Sequence, residues 1–396
     1  MKSGYDVAVV GGGLVGASAA YHLCRRCQVV LIEQESHPGY HASGRSAAVL
    51  LPTYGGPLAQ GLTRASIEFL THPPRDFLDT LLPLTARRGA VFLASQGQLD
   101  LLDHWRPADT TSASSLQMLS AREATERVPI LVAEHIAGAL WLPEVQDIDA
   151  AAMLQGFLRA FKGRGGTVLL DARVSAIRRA DGLWVLETAT GTVRAKTLIN
   201  AAGAWADSVA ALAGVTPKGL IPTRRTMVLV DTLPDIDSRG WPLVSDAAET
   251  FYFKPDAGRL VVSPADRSPV AAHDVQPEEW DVAVAVERLE AATSLRVRRI
   301  IKKWAGLRTF SPDEEPVIGF DLQAPDFIWA AGLGGFGVQA AFAAGRCCEA
   351  LLCRDELCAE LESFGVNLAR LSPGRLAAQS GSHIGSPDNE MRPQGV

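Results

Sequence analysis

The chain has 396 residues, of which 47% are hydrophobic and 21% are charged. This composition excludes a wholly disordered chain and predicts about two or three domains with large apolar cores. The formal net charge of −6 argues against a nucleic-acid partner, because proteins that bind nucleic acids usually carry a basic surplus.

The chain shows no sign of a membrane span, a signal peptide or a metal centre. No apolar run approaches the roughly 18 residues of a transmembrane helix, and Asp6 with several glycines interrupts the N-terminal apolar stretch. Six cysteines are too few for a disulfide scaffold. Cys24 and Cys27 lack a second Cys or His pair nearby to complete a metal site. We therefore expect a cytoplasmic protein without a metal ion.

The first element in the chain is a glycine-rich turn between a strand and a helix. Residues 5–10 predict a strand, the glycines of GGGLVG (Gly11, Gly13 and Gly16) follow at once, and a second strand ends on Glu33. This βαβ pattern is typical of dinucleotide sites, where the glycines let a pyrophosphate approach the backbone at a helix N-terminus. Glu33 is placed to accept hydrogen bonds from a ribose.

The rest of the chain alternates between predicted helices and strands. Apolar periodicity and capping residues predict helices over residues 63–70, 120–127, 149–161, 277–295 and 337–352. Strands are predicted over residues 90–94, 168–170, 183–188, 192–195, 197–201, 222–231, 251–255, 260–263 and 327–331. Residues 372–396 are rich in Ser, Gly, Pro and Gln, which predicts a disordered tail.

Three further turns are placed to bind the same cofactor. HASGRSAA at residues 41–48 offers Arg45 and Ser46 as a second clamp on a pyrophosphate. NAAGAW brings Gly203 to a strand end, and GLGGFGVQ brings Gly335 and Gly337 to the start of a helix. Because the turns are dispersed over the chain, they favour one extended cofactor and so indicate FAD rather than NAD. The alternative is that these glycine-rich turns are structural and bind no nucleotide.

Several of these segments carry a resemblance to a known family. The segments PGYHASGRSAA, NAAGAWADSVAALAGV, FYFKPDAGRLVVSPA, AHDVQPE, WAGLRTF and GGFGVQ resemble the amino-acid oxidase (DAO) family of FAD flavoenzymes, and within it the bacterial D-arginine dehydrogenase group. The resemblance implies an α/β fold with a discontinuous, doubly wound, Rossmann-like FAD-binding domain and a mixed α+β substrate domain. The expected boundaries are 1–88, 147–220 and 304–371 for the first domain, and 89–146 and 221–303 for the second.

The resemblance also implies which residues bind the cofactor and the substrate. FAD contacts are expected at the turns named above, at the backbone of Val174 and at residues 335–339. Arg308 would pair with a substrate carboxylate, for which a planar guanidinium is the matching partner. Arg225 would be a second arginine of the site, Tyr252 and Tyr54 would be pocket tyrosines, and Gln339 would be a polar group beside the cofactor.

The sequence departs from the D-arginine dehydrogenases in the segments expected to contact the substrate side chain. Val49, Leu51 and Gly89 stand where those enzymes have histidine, threonine and glutamate. A buried guanidinium without a counter-charge is costly. We therefore expect a preference for apolar side chains over arginine.

These inferences predict an FAD-dependent D-amino-acid dehydrogenase or oxidase. A hydride would pass from Cα to flavin N5, and the imino acid would hydrolyse to a 2-oxo acid. No cysteine stands at residues 308–313, where related enzymes attach flavin, so non-covalent FAD is expected. The alternatives are an N-methyl or secondary-amine oxidase, a 2-hydroxy-acid flavoenzyme and a non-catalytic nucleotide-binding protein. The electron acceptor stays open between a quinone-type compound and O₂.

Overall fold

The structure is a computed structural model that describes residues 4–75, 77–78, 83–106, 116–231, 236–353 and 357–379. The strands in these ranges are β1 (Tyr5–Val10), β2 (Val29–Ile32), β3 (Val49–Leu50), β4 (Thr85–Arg87), β5 (Ala90–Ala94), β6 (Gln117–Leu119), β7 (Gly138–Leu142), β8 (Gln146–Ile148), β9 (Thr167–Leu169), β10 (Val174–Ala180), β11 (Leu183–Thr188), β12 (Gly191–Asn200), β13 (Ile221–Val230), β14 (Leu243–Asp246), β15 (Tyr252–Asp256), β16 (Arg259–Ser263), β17 (Ile300–Phe310), β18 (Val317–Phe320) and β19 (Phe327–Ala331). The helices are α1 (Leu14–Leu23), α2 (Pro57–Thr71), α3 (Ala121–Arg127), α4 (Ala150–Gly163), α5 (Ala206–Leu212), α6 (Glu279–Ala292), α7 (Gly337–Cys353), α8 (Leu357–Ser363), α9 (Leu368–Leu371) and α10 (Gly374–Gln379).

The first sheet has the parallel centre expected of a dinucleotide-binding fold. β1 pairs in parallel with β12 on one side and β2 on the other, and β9 and β19 extend the parallel set outward. Helices α1 and α7 pack against each other over one face. Because parallel strands end at the same edge, the turns after β1, β12 and β19 meet there. The predicted α/β fold with a Rossmann-like sheet is confirmed.

The second sheet has the order β17-β13-β16-β15-β14-β5-β7-β6. Helix α6 packs on one face through Val282, Ala285 and Leu289, in an apolar cluster with β13, β15 and β16. A small third sheet joins β3, β8 and β4. The expected boundary at residue 304 falls inside β17. This strand pairs with β13 along nearly its whole length, so all of it belongs to the second sheet.

Local sequence signals set the ends of several elements. The Asp149 side chain accepts a hydrogen bond from the backbone N–H of Ala152 at 2.8 Å, which begins α4 as predicted. The strands predicted at 192–195 and 197–201 form one continuous strand, β12. The predicted tail begins differently from expectation, because α10 is a helix and Arg375 within it binds the carboxylate of Asp313 at 2.7 Å. Residues 380–396 lie outside the described residues.

Four cysteines, Cys24, Cys27, Cys347 and Cys348, lie in or against the apolar cluster of the first sheet. Burial raises the pKa of Cys27 to about 11 and that of Cys348 to about 12, so both thiols are protonated at neutral pH. In the part of the chain that the structure describes, no three His, Cys, Asp or Glu side chains are grouped so that they could hold a metal ion. Within those same ranges, no helix combines the length and the apolar character needed to cross a bilayer.

Candidate active site

A long cavity lies where the carboxyl edge of the first sheet meets β13 and β17 of the second. At one end it is lined by the first glycine-rich turn and Glu33, and at the other by Arg225 and Arg308. The glycine-rich turn and the two arginines therefore border one continuous cavity, and the part lined by Arg225 and Arg308 is called its charged end. The elements that line the cavity come from distant parts of the chain: the loop 39–47, the turn 201–205 and the segment 330–338.

The first glycine-rich turn can form only with glycine at two of its positions. Gly11 has a φ of +108°, and a Cβ there would lie 2.3 Å from the carbonyl oxygen of Ala201. A Cβ at Gly16 would lie 1.9 Å from the carbonyl oxygen of Gly11. The N-cap residue of α1, Gly13, has no side-chain cap, and Ser43 Oγ accepts from the N–H of Leu14 at 3.0 Å. Gly11, Gly13 and Leu14 line the cavity, so the N-terminus of α1 lies where a pyrophosphate would bind.

Glu33 closes this end of the cavity. Its side chain is buried at 7% exposure, and its carboxylate accepts the N–H of Gly12 at 2.8 Å and that of Glu35 at 3.0 Å. A carboxylate has about four acceptor positions, so capacity is left for ribose hydroxyls. The position fits the expected ribose contact.

The guanidinium of Arg45 is largely engaged by other parts of the protein. Its Nη1 donates to the carbonyl oxygens of Val275 and Ala305 at 3.1 and 3.0 Å, and its Nη2 donates to Asp274 Oδ1 at 2.5 Å. The charge of Arg45 is thus paired with Asp274, and the side chain fastens the loop 39–47 to the second sheet. These partners and the Tyr40 carbonyl use four of the five N–H donors of Arg45. Arg45 lines the cavity, and the expected clamp on the pyrophosphate stays a prediction.

The other residues expected to bind the cofactor line the cavity at several points: Ser46, Val174, Gly203, Gly335 and Gly337. Gly335 is the most constrained by its neighbours. A Cβ there would lie 2.8 Å from the Tyr54 hydroxyl and 2.9 Å from Nη1 of Arg308. This glycine therefore lets the cofactor-side backbone approach the charged end of the cavity closely.

The charged end is built on two adjacent strands. In the antiparallel register of β13 and β17, Thr223 pairs with Arg308 and Arg225 pairs with Gly306. Arg308 and Arg225 are therefore diagonal neighbours on the same face of the sheet. Nη1 of Arg308 donates to the Tyr54 hydroxyl at 3.3 Å.

Arg225 has no comparable partner. Its Nε is buried and has no hydrogen-bond partner among the described residues. Burial, and next the like charge of Arg308, lower the pKa of Arg225. Tyr252 lies beside it: the guanidinium carbon of Arg225 is 6.0 Å from the Tyr252 ring centre, and the Tyr252 hydroxyl donates to Met227 Sδ at 3.3 Å. The structure thus brings together Arg308, Arg225, Tyr54 and Tyr252.

Six expected site residues lie outside the cavity lining: Gly16, Tyr54, Gln339, Val49, Leu51 and Gly89. Gln339 is 2% exposed and holds the backbone of Leu51, accepting its N–H at 2.8 Å and donating to its carbonyl at 3.3 Å. Gly89 has a φ of +71°, and a Cβ there would lie 2.0 Å from the Trp141 ring. Gln339 and Gly89 are packing residues in the structure, whereas Val49 and Leu51 lie in an apolar cluster with Tyr54 and Tyr252. The side-chain pocket expected from Val49, Leu51 and Gly89 stays a prediction.

The structure adds site residues that the sequence analysis missed. Ser43, Trp205 and Met227 line the cavity. Glu249 lies in the turn after β14 and has a φ of +54°. Desolvation raises the pKa of its carboxyl group, and the positive charges of Arg225 and Arg308 lower that pKa in turn. Ser43 belongs to a segment already singled out, whereas nothing in the sequence around Glu249 points to the arginines.

Comparison with known proteins agrees with this geometry. The model of the family DAO, FAD dependent oxidoreductase, matches residues 6–351. The chain is 26% identical to mitochondrial dimethylglycine dehydrogenase of Rattus norvegicus, over 87% of this chain and 42% of that protein, so it spans about two fifths of that relative's length. It is 26% identical to glycine oxidase of Geobacillus kaustophilus, over 84% of this chain and 88% of that protein.

A solved structure is similar over nearly the whole chain. Iminodiacetate oxidase from Chelativorans sp. BNC1 is 25% identical and superposes with a TM-score of 0.78, covering 93% of this chain and 98% of that one. The glycine cradle at Gly11, Gly13 and Gly16, the carboxylate of Glu33 and the cavity that joins them to Arg308 fit FAD. The chain belongs to the DAO family of FAD dependent oxidoreductases, and FAD is its cofactor.

Proposed function

We propose that this protein oxidises the Cα–N bond of an α-amino acid, with D-amino acids that lack a basic side chain as its first substrate class. The observation that supports this most is the placement of Arg308, with Tyr54 as its hydrogen-bond partner, at the end of the cavity opposite the glycine turn. A guanidinium in a dry cavity binds a carboxylate by charge-assisted hydrogen bonds. Bound there, the substrate would have its Cα next to the cofactor-side backbone at Gly335.

The chemistry needs positioning more than it needs an acid or a base. FAD, when bound, supplies the acceptor for the two electrons and the hydrogen that leave Cα. Arg308 would fix the α-carboxylate, Arg225 would add a second positive charge beside it, and Tyr252 would orient the amine side of the substrate. The neutral amine nitrogen supplies its lone pair as the Cα–H bond breaks, so an iminium ion forms and gives the imine when it loses a proton to water. Water then converts the imine to a 2-oxo acid and ammonia.

A basic substrate side chain would have no counter-charge in this cavity. Among the described residues that line it, the acidic residue is Glu33, at the cofactor end. A second cation beside Arg225 and Arg308 would be unfavourable by Coulomb's law. The charge of the cavity therefore supports the exclusion of D-arginine and D-lysine as good substrates. This argument does not depend on Val49, Leu51 and Gly89.

A second candidate is the oxidation of a secondary or N-methyl amino acid. It is favoured by the names of two similar proteins, dimethylglycine dehydrogenase and iminodiacetate oxidase, whose substrates carry additional carbon on the nitrogen. Such a substrate has the same carboxylate for Arg308. It differs only in what occupies the space on the amine side, next to Tyr252 and Met227.

We also infer that the first sheet and its helices form the cofactor domain and the second sheet forms the substrate domain. In this division β17 stays with the substrate domain, so the boundary moves from residue 304 to the end of β17 at Phe310.

Anaerobic reduction of the bound flavin tests the function directly. The purified yellow protein is mixed without oxygen with D-amino, L-amino, N-methyl and 2-hydroxy acids of matched side chain, and bleaching near 450 nm is followed. Bleaching by D-amino acids supports the first proposal, and bleaching by N-methyl acids alone selects the second. No bleaching by any amino acid, with dithionite reducing the flavin normally, would refute both.

A further inference from the structure

The charged end of the cavity holds two guanidinium groups, and the acid among the described lining residues, Glu33, lies at the glycine-rich turn instead. Arg225 and Arg308 both line it. Within the described ranges, neither guanidinium forms an ion pair with a carboxylate at 4.0 Å or less. A substrate amino acid with a neutral amine contributes a single negative charge. One cationic charge would then remain in a water-poor site, which is unfavourable.

The nearest acids are already engaged elsewhere or stand apart. Asp266 accepts the N–H of Thr226 at 2.6 Å and its hydroxyl at 3.0 Å, and its carboxylate lies 3.6 Å from Nε of Arg224. Arg224 is on the opposite face of β13 from Arg225, because consecutive residues of a strand alternate sides. Glu249 acts on both cavity arginines through its charge but forms no ion pair with either within 4.0 Å.

The geometry points to two separate anion positions. Diagonal cross-strand neighbours such as Arg225 and Arg308 have backbones roughly 7–8 Å apart. Gly306 stands opposite Arg225 and has no side chain, and a Cβ there would lie 3.3 Å from the Cβ of Arg45. The Nε of Arg225 is buried and unpartnered, whereas Arg308 already donates to Tyr54. A ligand with one anionic group for each guanidinium would satisfy both.

We propose that the substrate is an acidic α-amino acid, whose α-carboxylate binds Arg308 and whose second carboxylate binds Arg225. This inference rests on the proposed function and makes its substrate class specific. The second carboxylate can stand on the Cα side chain, as in D-aspartate and D-glutamate, or on the nitrogen substituent, as in iminodiacetate. In both arrangements the two carboxylates are a few bonds apart. Flavin reduction by each compound shows which arrangement the protein oxidises.

The test compares each acid with its uncharged amide of nearly the same shape. Anaerobic flavin reduction is measured with D-aspartate against D-asparagine, D-glutamate against D-glutamine, and iminodiacetate against its monoamide. A charge-assisted pair in a buried site predicts that at least one acid has a second-order reduction rate constant on the order of 10²-fold above its amide. Amides that react as fast as the acids in all three pairs would overturn the inference while leaving the proposed function in place. If no amino acid reduces the flavin, both fail.

Variants at Arg225 show whether this residue makes the distinction. Arg225→Met should lower the acid-to-amide ratio by about tenfold or more, and Arg225→Lys should keep most of it because the charge remains. Arg267→Met is the matched control, since Arg267 is exposed and pairs with Glu314 outside the cavity. A ratio that is unchanged in Arg225→Met would contradict the assignment.

An inhibitor assay keeps the inference testable if Arg225→Met does not retain FAD. In the wild-type holoenzyme, succinate should perturb the flavin spectrum with a Kd about tenfold or more below that of butyrate, because only succinate reaches both arginines. Equal Kd values for the two compounds would refute the two-anion site.

Discussion

Replacement of Arg308 by methionine separates cofactor binding from substrate binding in this cavity. Met keeps an unbranched apolar side chain but removes the planar fork that lies against Tyr54. The glycine turn and Glu33, which form the other end of the cavity, make no recorded hydrogen bond to Arg308 in the described residues. Arg308→Met should therefore be purified with a full complement of FAD.

The loss of turnover should be large but not complete. A buried charge pair with a carboxylate contributes about 2–5 kcal/mol, which corresponds to roughly 30- to 5,000-fold in kcat/KM. Arg225 stays on the same face as a diagonal neighbour and can still attract the carboxylate. We therefore expect a loss near the middle of this range, on the order of 10²- to 10³-fold. Arg308→Lys should fall between the wild type and Arg308→Met, because lysine keeps the charge without the bidentate geometry.

The assay is steady-state kcat/KM with an artificial acceptor, together with the FAD content from absorbance. Arg267→Met serves again as a control for the loss of an arginine outside the cavity. A near-normal kcat/KM in Arg308→Met would refute the assignment and would move carboxylate binding to Arg225. Loss of FAD with otherwise folded protein would show that Arg308 supports the cofactor, which also contradicts the reasoning.

Three further predictions concern the cofactor and the fold. Gly16→Ala should yield protein without flavin colour, because the Cβ of the new alanine would lie 1.9 Å from the carbonyl oxygen of Gly11. A yellow variant with a normal FAD content would contradict this prediction, since it would show that the turn can relax. Acid precipitation of the wild type should leave the flavin in the supernatant, because no cysteine in the described ranges lines the cavity; colour in the pellet would disprove non-covalent binding. Burial lowers the pKa of His22 from its ordinary 6.5, so the folded state resists protonation and stability falls as the pH drops below that value. His22→Leu should remove this loss of stability, which is at most about 1.4 kcal/mol per pH unit. The free energy of unfolding in urea is measured at pH 7.5 and 5.5 for both proteins. An equal pH dependence in the variant and the wild type would contradict the prediction.

The sequence by itself determined the parts of this protein that depend on local backbone geometry. The spacing of Gly11, Gly13 and Gly16 after an apolar strand could be interpreted without a structure, because a tight strand-to-helix turn leaves no room for Cβ atoms. The start of α4 at Asp149 and both ends of β1, β5, β11 and β19 followed from capping and alternation for the same reason. Glu33 was placed correctly at the cavity because it ends the second strand of the same βαβ unit.

Only the tertiary structure decided which side chains meet across long distances in the chain. Arg45 pairs with Asp274, 229 residues away, and Gln339 holds Leu51, 288 residues away, and neither local segment indicates these contacts. Hydrophobic periodicity reports that a residue is buried, but it carries no information on its partner. The pairing of Arg225 with Gly306 likewise depends on the register of two strands separated by residues 231–299. That register, which no local pattern encodes, places two guanidinium groups on one face of the sheet and so sets the charge of the candidate active site.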